Sequence, residues 1–230
     1  MRWPGVTRSD TVDDAHLVSA IDFLPTILDV MGHAHPNPGS LHGRSFFELL
    51  SGQSQANRTH VLLQYNENSG RNRQPMRGIQ ENKLLYLYNP WANGERKFAT
   101  ATTGTVAYKQ MMAQAKSSQK VAARLELFDH RVLEELYDIS ADPNCLVNLV
   151  GSAEHQGELT RLRAKLSSEL RRVKDPIAPL IADLENAELR ESYMAKEDRR
   201  TLKAKKERQA KNARKKANQK NQNAQKTGLP

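Results

Sequence analysis

Covalent cross-links are the first thing this sequence lacks. Its 230 residues contain one cysteine, Cys145, which excludes any disulfide within the chain. Long apolar runs are missing too, so no segment is long enough to span a bilayer. The opening Met1-Arg2-Trp3-Pro4-Gly5 has neither the charged start nor the apolar stretch of a signal peptide, and no internal repeat is visible. Excess charge is absent from most of the chain. The formal net charge is +9, but residues 195–230 hold 13 Lys and Arg against 3 Asp and Glu, leaving 22 basic and 23 acidic residues before them. The high pI therefore describes a tail and not a fold. That tail has no aromatics between its basic residues, which argues against stacking on bases. Charge neutralisation remains as its means of holding nucleic acid, an anionic glycan or an acidic surface.

What is present centres on residues 134–149, EELYDISADPNCLVNL. Leu136 and Tyr137 lie in a short run of strand character, and Pro143 forces Asp142 out of the helical region, so a turn follows. Leu146, Val147, Leu149 and Val150 make a second apolar patch. Ser152 and Glu154 then supply the cap and first-turn charge of a helix. Leu159, Leu162, Leu166, Leu170 and Val173 recur on one of its faces, with Arg161, Arg163, Lys165, Glu169, Arg171 and Arg172 mostly on the others. Each buried Leu contributes roughly 1.5–3 kcal/mol, so this face needs a surface to cover. Strand, turn and helix form one unit.

Earlier in the chain, residues 17–32 are the most apolar stretch. Asp22 can cap a helix there, Pro25 is tolerated in its first turn and Gly32 ends it. Ile21, Phe23, Leu24, Ile27, Leu28, Val30 and Met31 leave little polar surface, the pattern of a helix enclosed on several sides. Residues 33–57 read as loop, with a short helical turn at 45–50. Strands are expected at 61–65, 76–80 and 84–88. Glu81-Asn82-Lys83 joins the last two as a hairpin, and 136–139 extends the same antiparallel sheet. Residues 106–116 read as a helix with Met111, Met112 and Ala115 inward, and 121–131 is ambiguous. The fold class is α+β, a small antiparallel sheet covered by the 159–173 helix. Three parts are expected: 1–60, 61–176 and a basic tail at 177–230. Beyond Ala195 the tail buries too little to offset roughly 1–2 kcal/mol of backbone entropy per residue, so it should be disordered or a solvated, fraying helix.

Several of these stretches together resemble a known family. VSAIDFLPTILDVMG at 18–32, Gly43-Arg44-Ser45 and ELYDISADPNCLVNL at 135–149 are similar to the C-terminal signatures of the sulfatases, within the alkaline phosphatase-like superfamily. Pro75-Met76-Arg77 before KLLYLYN at 83–89 narrows the resemblance to the heparan N-sulfatase (sulfamidase) branch. It runs in order through residues 1–176, and the tail has no counterpart in it. The resemblance implies residues 1–60 as the last part of a large α/β domain and 61–176 as the C-terminal subdomain. It also implies an exported parent that hydrolyses sulfate esters or sulfamates of sulfated glycans. The family's nucleophile is a cysteine converted to formylglycine in Cys-x-Pro-x-Arg, with a divalent cation, usually calcium, on Asp and Asn side chains. Cys145 is followed by Leu-Val-Asn-Leu, and no Asp-Asn pair occurs. The expectation is therefore no catalytic residue, metal ligand or cofactor in this chain, which by itself would be inert. Its partner would be the N-terminal catalytic domain.

Among other candidates, Asp13-Asp14 could form a metal pair, against a solvated turn in a polar loop without further carboxylates. His33, His35 and His42 could bind zinc, yet no cysteine or acidic ligand is near them. Cys145 has no base beside it in sequence, and a partly buried structural thiol is the default. The better candidate is the loop 66–77, NENSGRNRQPMR. Three arginines and a glutamate between strand ends could hold a sulfated or carboxylated sugar. Arg71, Arg73 and Arg77 would donate forked hydrogen bonds, and Glu67 would accept from hydroxyl or ammonium groups; a solvated loop is the alternative. The resemblance matches Glu67 and Arg77 to positions that help line the family's pocket mouth. An inserted residue between Glu67 and Pro75 sets Arg71 and Arg73 outside that match.

Overall fold

In the computed structural model, strands β1 (Val61–Glu67), β2 (Arg73–Gln80), β3 (Leu84–Tyr88) and β4 (Glu134–Asp138) form one sheet in the order β1-β2-β3-β4. The structure describes residues 2–7, 9–55, 58–68 and 70–227, without the side chains of 220–227. Ser69 in the candidate loop, Met1, Asn57 and the last three residues of the tail lie outside the described residues. Strand β3 pairs antiparallel with β2, Arg77 opposite Tyr88, and with β4, Tyr86 opposite Leu136. At Gly78 a Cβ would come within 2.6 Å of the Leu87 side chain and 2.9 Å of the Tyr86 carbonyl, so only glycine fits between these strands.

Helices α1 (Phe23–Val30) and α2 (Phe47–Leu50) precede the sheet, α3 (Val106–Gln114) and α4 (Gln119–Asp129) lie between β3 and β4, and α5 (Gln156–Arg172), α6 (Ala178–Ala182) and α7 (Ala187–Thr227) follow. The contacts divide the chain into two units. Unit 1 is Met1–Gln64, Arg77–Tyr88 and Glu134–Asp183; unit 2 is Tyr65–Met76, Asn89–Leu133 and Leu184–Pro230.

Unit 1 holds the leucine helix and its sheet. Leu159, Leu162, Leu166 and Leu170 of α5 are all buried, as are Ile79, Tyr86 and Leu136 of the strands. Polar side chains rim this layer: Arg163 binds Glu134 at 2.6 and 2.7 Å, and the Tyr86 hydroxyl donates to the same carboxylate at 2.6 Å. The stretch after β4 finishes the sheet's edge. Asp142 accepts N–H groups from Leu146 and Val147 at 2.6 and 2.8 Å, which folds the chain back. Asn148 then accepts from the Leu136 N–H at 2.9 Å and donates to the Glu134 carbonyl at 3.0 Å, while the Leu149 N–H reaches the Leu136 carbonyl at 2.8 Å. An edge strand so covered presents fewer open backbone groups to a foreign strand. Cys145 sits half-buried in this turn at φ 51, its N–H on the Asp142 carbonyl.

Helix α1 departs from expectation in its start. Asp22 stands at the N-cap position but its side chain makes no cap bond to the helix; a 3-10 turn, Ala20–Asp22, leads in, and the Ser19 N–H donates to the Asp22 carboxylate at 2.6 Å. That carboxylate is fully buried and also takes the Arg44 N–H at 2.8 Å and the Arg58 guanidinium at 2.9 Å. Thr26 donates to the Asp22 carbonyl and accepts the Phe46 N–H. Gly32, at φ 65, ends the helix as expected.

Unit 2 is built on aromatics. Phe98 stacks on Trp91 at 5.4 Å and meets Tyr65 and Phe128 edge-on or tilted, with Tyr108 against Phe128. Gln74 fastens the segment before α3, donating to the Lys97 carbonyl and accepting the Ala99 N–H, both at 2.7 Å. The ambiguous stretch is helix α4, capped by Ser118. Met112 of α3 is 48% exposed, not inward, since only Met111 and Ala115 lie on the sheltered side. The tail is a helix through Thr227, docked at Met194, and the docking extends past Ala195 into the stretch expected to be solvated: Glu197 is 1% exposed.

Candidate functional site

The loop between β1 and β2 is a tight reversal fixed by asparagines. Asn68 accepts the Asn72 N–H at 3.0 Å through its side chain, donates to the Ala99 carbonyl at 2.5 Å, and its carbonyl takes the Arg71 N–H at 3.0 Å. Arg71 adopts φ 66, a left-handed conformation that costs a non-glycine residue about 1–2 kcal/mol. That conformation stands beside a carboxylate. Glu67 accepts Arg71 on one oxygen at 2.9 Å and Arg73 on the other at 2.7 Å.

Helix α7 completes the cluster. Arg73 Nε donates to Glu197, which also receives Arg200, and the Arg73 N–H donates to the Thr201 hydroxyl at 3.2 Å. Lys205 donates to the Asn72 side chain at 2.6 Å. The hydrogen bond that Arg73 donates to Glu197 is the largest of the effects that hold the Arg73 pKa above its ordinary value. The next residue, Asp198, takes Arg96 through two hydrogen bonds, 3.1 and 2.8 Å. Glu197 and Asp198 are two of only three acidic residues in 195–230, and that scarcity was the one sequence signal that they are placed for a reason.

Three of the four residues expected at a sugar site, Glu67, Arg71 and Arg73, therefore do come together, within unit 2. Arg77 belongs to unit 1, where it is 3% exposed and bound at 2.8 Å to Asp175, just past α5. Glu67 and Arg73 are already engaged with one another and with α7, whereas the Arg71 side chain is 53% exposed and has donors to offer. The cluster can bind an anion or a hydroxyl; among its described residues there is no arrangement of nucleophile and base.

The remaining candidates fall into turns. Asp13 accepts the Ala15 and His16 N–H groups and the His16 ring, and the His16 N–H bond foremost holds its pKa below the usual carboxylate range. The His35 ring meets the backbone of Asn37, while His33 and His42 are exposed. Calcium, implied by the resemblance, does not fit the residues present: among the described residues no three His, Cys, Asp or Glu side chains converge. Among them, too, no helix is long and apolar enough to cross a membrane.

The α+β architecture of this sheet and helix is shared with solved sulfatases. A solved 2-O GAG sulfatase matches it at a TM-score of 0.51 and 22% identity, over 75% of this chain and 29% of that one. The chain resembles the C-terminal part of the sulfatases, and residues 1–96 match the family N-sulphoglucosamine sulphohydrolase, C-terminal. An ulvan-active sulfatase of Formosa agariphila is 24% identical over 177 residues, 76% of this chain. The chain spans 28% of the length of that curated relative.

Proposed function

We propose that this chain serves as the C-terminal subdomain of a sulfamidase-like sulfatase acting on sulfated glycans. It would dock on an α/β domain, of the same or another polypeptide, that carries the formylglycine and calcium. The observation that supports this is the apolar face of α1. Ile21, Phe23, Leu24, Ile27 and Met31 are 48% to 59% exposed, although the helix is apolar nearly all round. Beside it, the 2–18 segment and α2 enclose an open hollow of about 1130 Å³ floored by Phe46, Leu49 and Leu50. Leaving five such side chains half in water forfeits roughly 4–7 kcal/mol, comparable to the stability of a marginal domain. A face of this kind marks a protein interface. The substrate class comes from the relatives, an ulvan-active and a 2-O GAG sulfatase, and from the N-sulphoglucosamine of the family name. Within that reading Glu67, Arg71 and Arg73 contact the glycan beyond the reacting sulfate, and Arg77 braces β2 against α5.

Recovery of the native protein, followed by peptide mapping, tests the proposal. A Cys-x-Pro-x-Arg peptide bearing formylglycine should accompany residues of this chain. Recovery of this chain with no such peptide would remove the sulfatase reading.

A further inference from the structure

Helix α7 runs on past the loop that anchors it. Its docked face, marked by Met194, Glu197 and Thr201, continues at three- and four-residue spacing through Ala204, Arg208, Lys211 and Lys215. There, with Arg71, Glu207 and Asn212, these residues line an open groove of about 500 Å³ within unit 2. Four cations and one carboxylate face it. Over 203–216 the helix as a whole carries eight basic residues and only Glu207 as an acid. Like charges three and four residues apart repel along a helix, so an anion laid in the groove relieves strain already present.

We infer that this groove, which shares Arg71 with the cluster above, binds a linear sulfated glycan along α7. Sulfates would sit on Arg71, Arg208, Lys211 and Lys215, and sugar hydroxyls on Glu207 and Asn212. The substrate class rests on the sulfatase reading above; the groove itself does not. Three features favour a glycan over nucleic acid. No aromatic residue follows Tyr193, so bases find nothing to stack on. Glu207 accepts hydrogen bonds only, which suits a chain that carries hydroxyls between its anionic groups, and a DNA backbone offers it none. Arg71 comes from a loop and not from the helix, which makes the surface a groove instead of a uniformly charged rod.

The test titrates the intact chain with a heparin dodecasaccharide, its desulfated counterpart, duplex DNA and single-stranded RNA at rising salt. The R208Q/K211Q/K215Q variant should lower the slope of log affinity against log salt by about 3 for heparin, and R71Q by about 1. K203Q/K206Q/R214Q removes the same charge from the far side of the helix and should lower it clearly less. Equal losses from the two triple variants, a silent R71Q, or tighter binding of DNA or RNA than of heparin would each overturn the inference. Desulfated heparin binding as well as heparin would do so too. The peptide-mapping test involves α1 and an absent partner, so either idea can fail alone: heparin held here without a formylglycine partner keeps the groove and removes the sulfatase.

Discussion

Glu81 sits between Arg161, at 2.7 Å on each oxygen, and Lys165 at 2.8 Å. The Arg161 hydrogen bonds, aided by Lys165 and opposed by burial, bring its pKa from 4.5 down to about 2. A carboxylate whose folded pKa is depressed contributes its stability above the unfolded value and loses it as pH falls towards the folded one. Urea unfolding between pH 5 and 2 should therefore show stability falling more steeply in the native protein than in Glu81→Gln. Parallel curves would mean that the pair does nothing. Glu197 presents a harsher case, because it is 1% exposed and removing it leaves Arg73 facing a single carboxylate. Breaking one side of a buried pair costs about 3–5 kcal/mol, and the part-exposed Arg73 places Glu197→Ala near the lower end. Denaturant unfolding measures it, and a loss under 1 kcal/mol would show that α7 is not held by this contact.

Elements differ in how plainly the sequence announced them. The α5 leucines were legible because a helix pressed on a sheet writes its buried face as a 3.6-residue period, and Leu166→Ala should cost about 2–5 kcal/mol. The strand character of β3 and the turn at Glu81 were legible from local sequence as well. Contacts between distant residues leave no such trace: Arg73 and Glu197 are 124 residues apart, Arg96 and Asp198 are 102 apart. Charge composition alone made the tail look solvated from Ala195, while its first turns contribute ion pairs to unit 2. The consequence can be measured by truncation. Removing residues 208–230 should leave the melting temperature unchanged, whereas removing 195–230 should lower it, because the second deletion takes Glu197, Asp198 and Thr201 with it. Equal melting temperatures for both would return the whole tail to solvent. For α1 the apolar pattern calls for a covering surface that this chain does not supply, and the structure shows the face open. Hydrogen exchange should be fast at 24–30 and slow at 136–138 and 162–170; uniform protection would indicate that the face is covered without a partner.

For the whole molecule the question is whether a sulfatase-like outline carries sulfatase chemistry. The fold likeness speaks for the architecture alone, since function resides in sites and not in folds. The chemistry needs an activated nucleophile, a cation to neutralise the sulfate oxygens, and an acid for the leaving group. The single thiol lies in a turn that finishes the edge of β4, and its flanking residues do not form Cys-x-Pro-x-Arg. Arg77 is enclosed with Asp175, and Glu67 is shared between two arginines. Asp22 and Asp142, acids with several donors around them, are spent on backbone N–H groups and, for Asp22, on Arg58. The purified chain should therefore release no sulfate from aryl sulfates, from glucosamine N-sulfate or from heparin fragments, with or without calcium. Calcium should also leave its melting temperature unmoved, because a cation that binds the folded state would raise it by mass action, about 2.7 kcal/mol at a hundredfold excess over its Kd. Calcium-dependent sulfate release, or a calcium-dependent rise in melting temperature, would locate in this chain the chemistry that the proposal assigns to its partner.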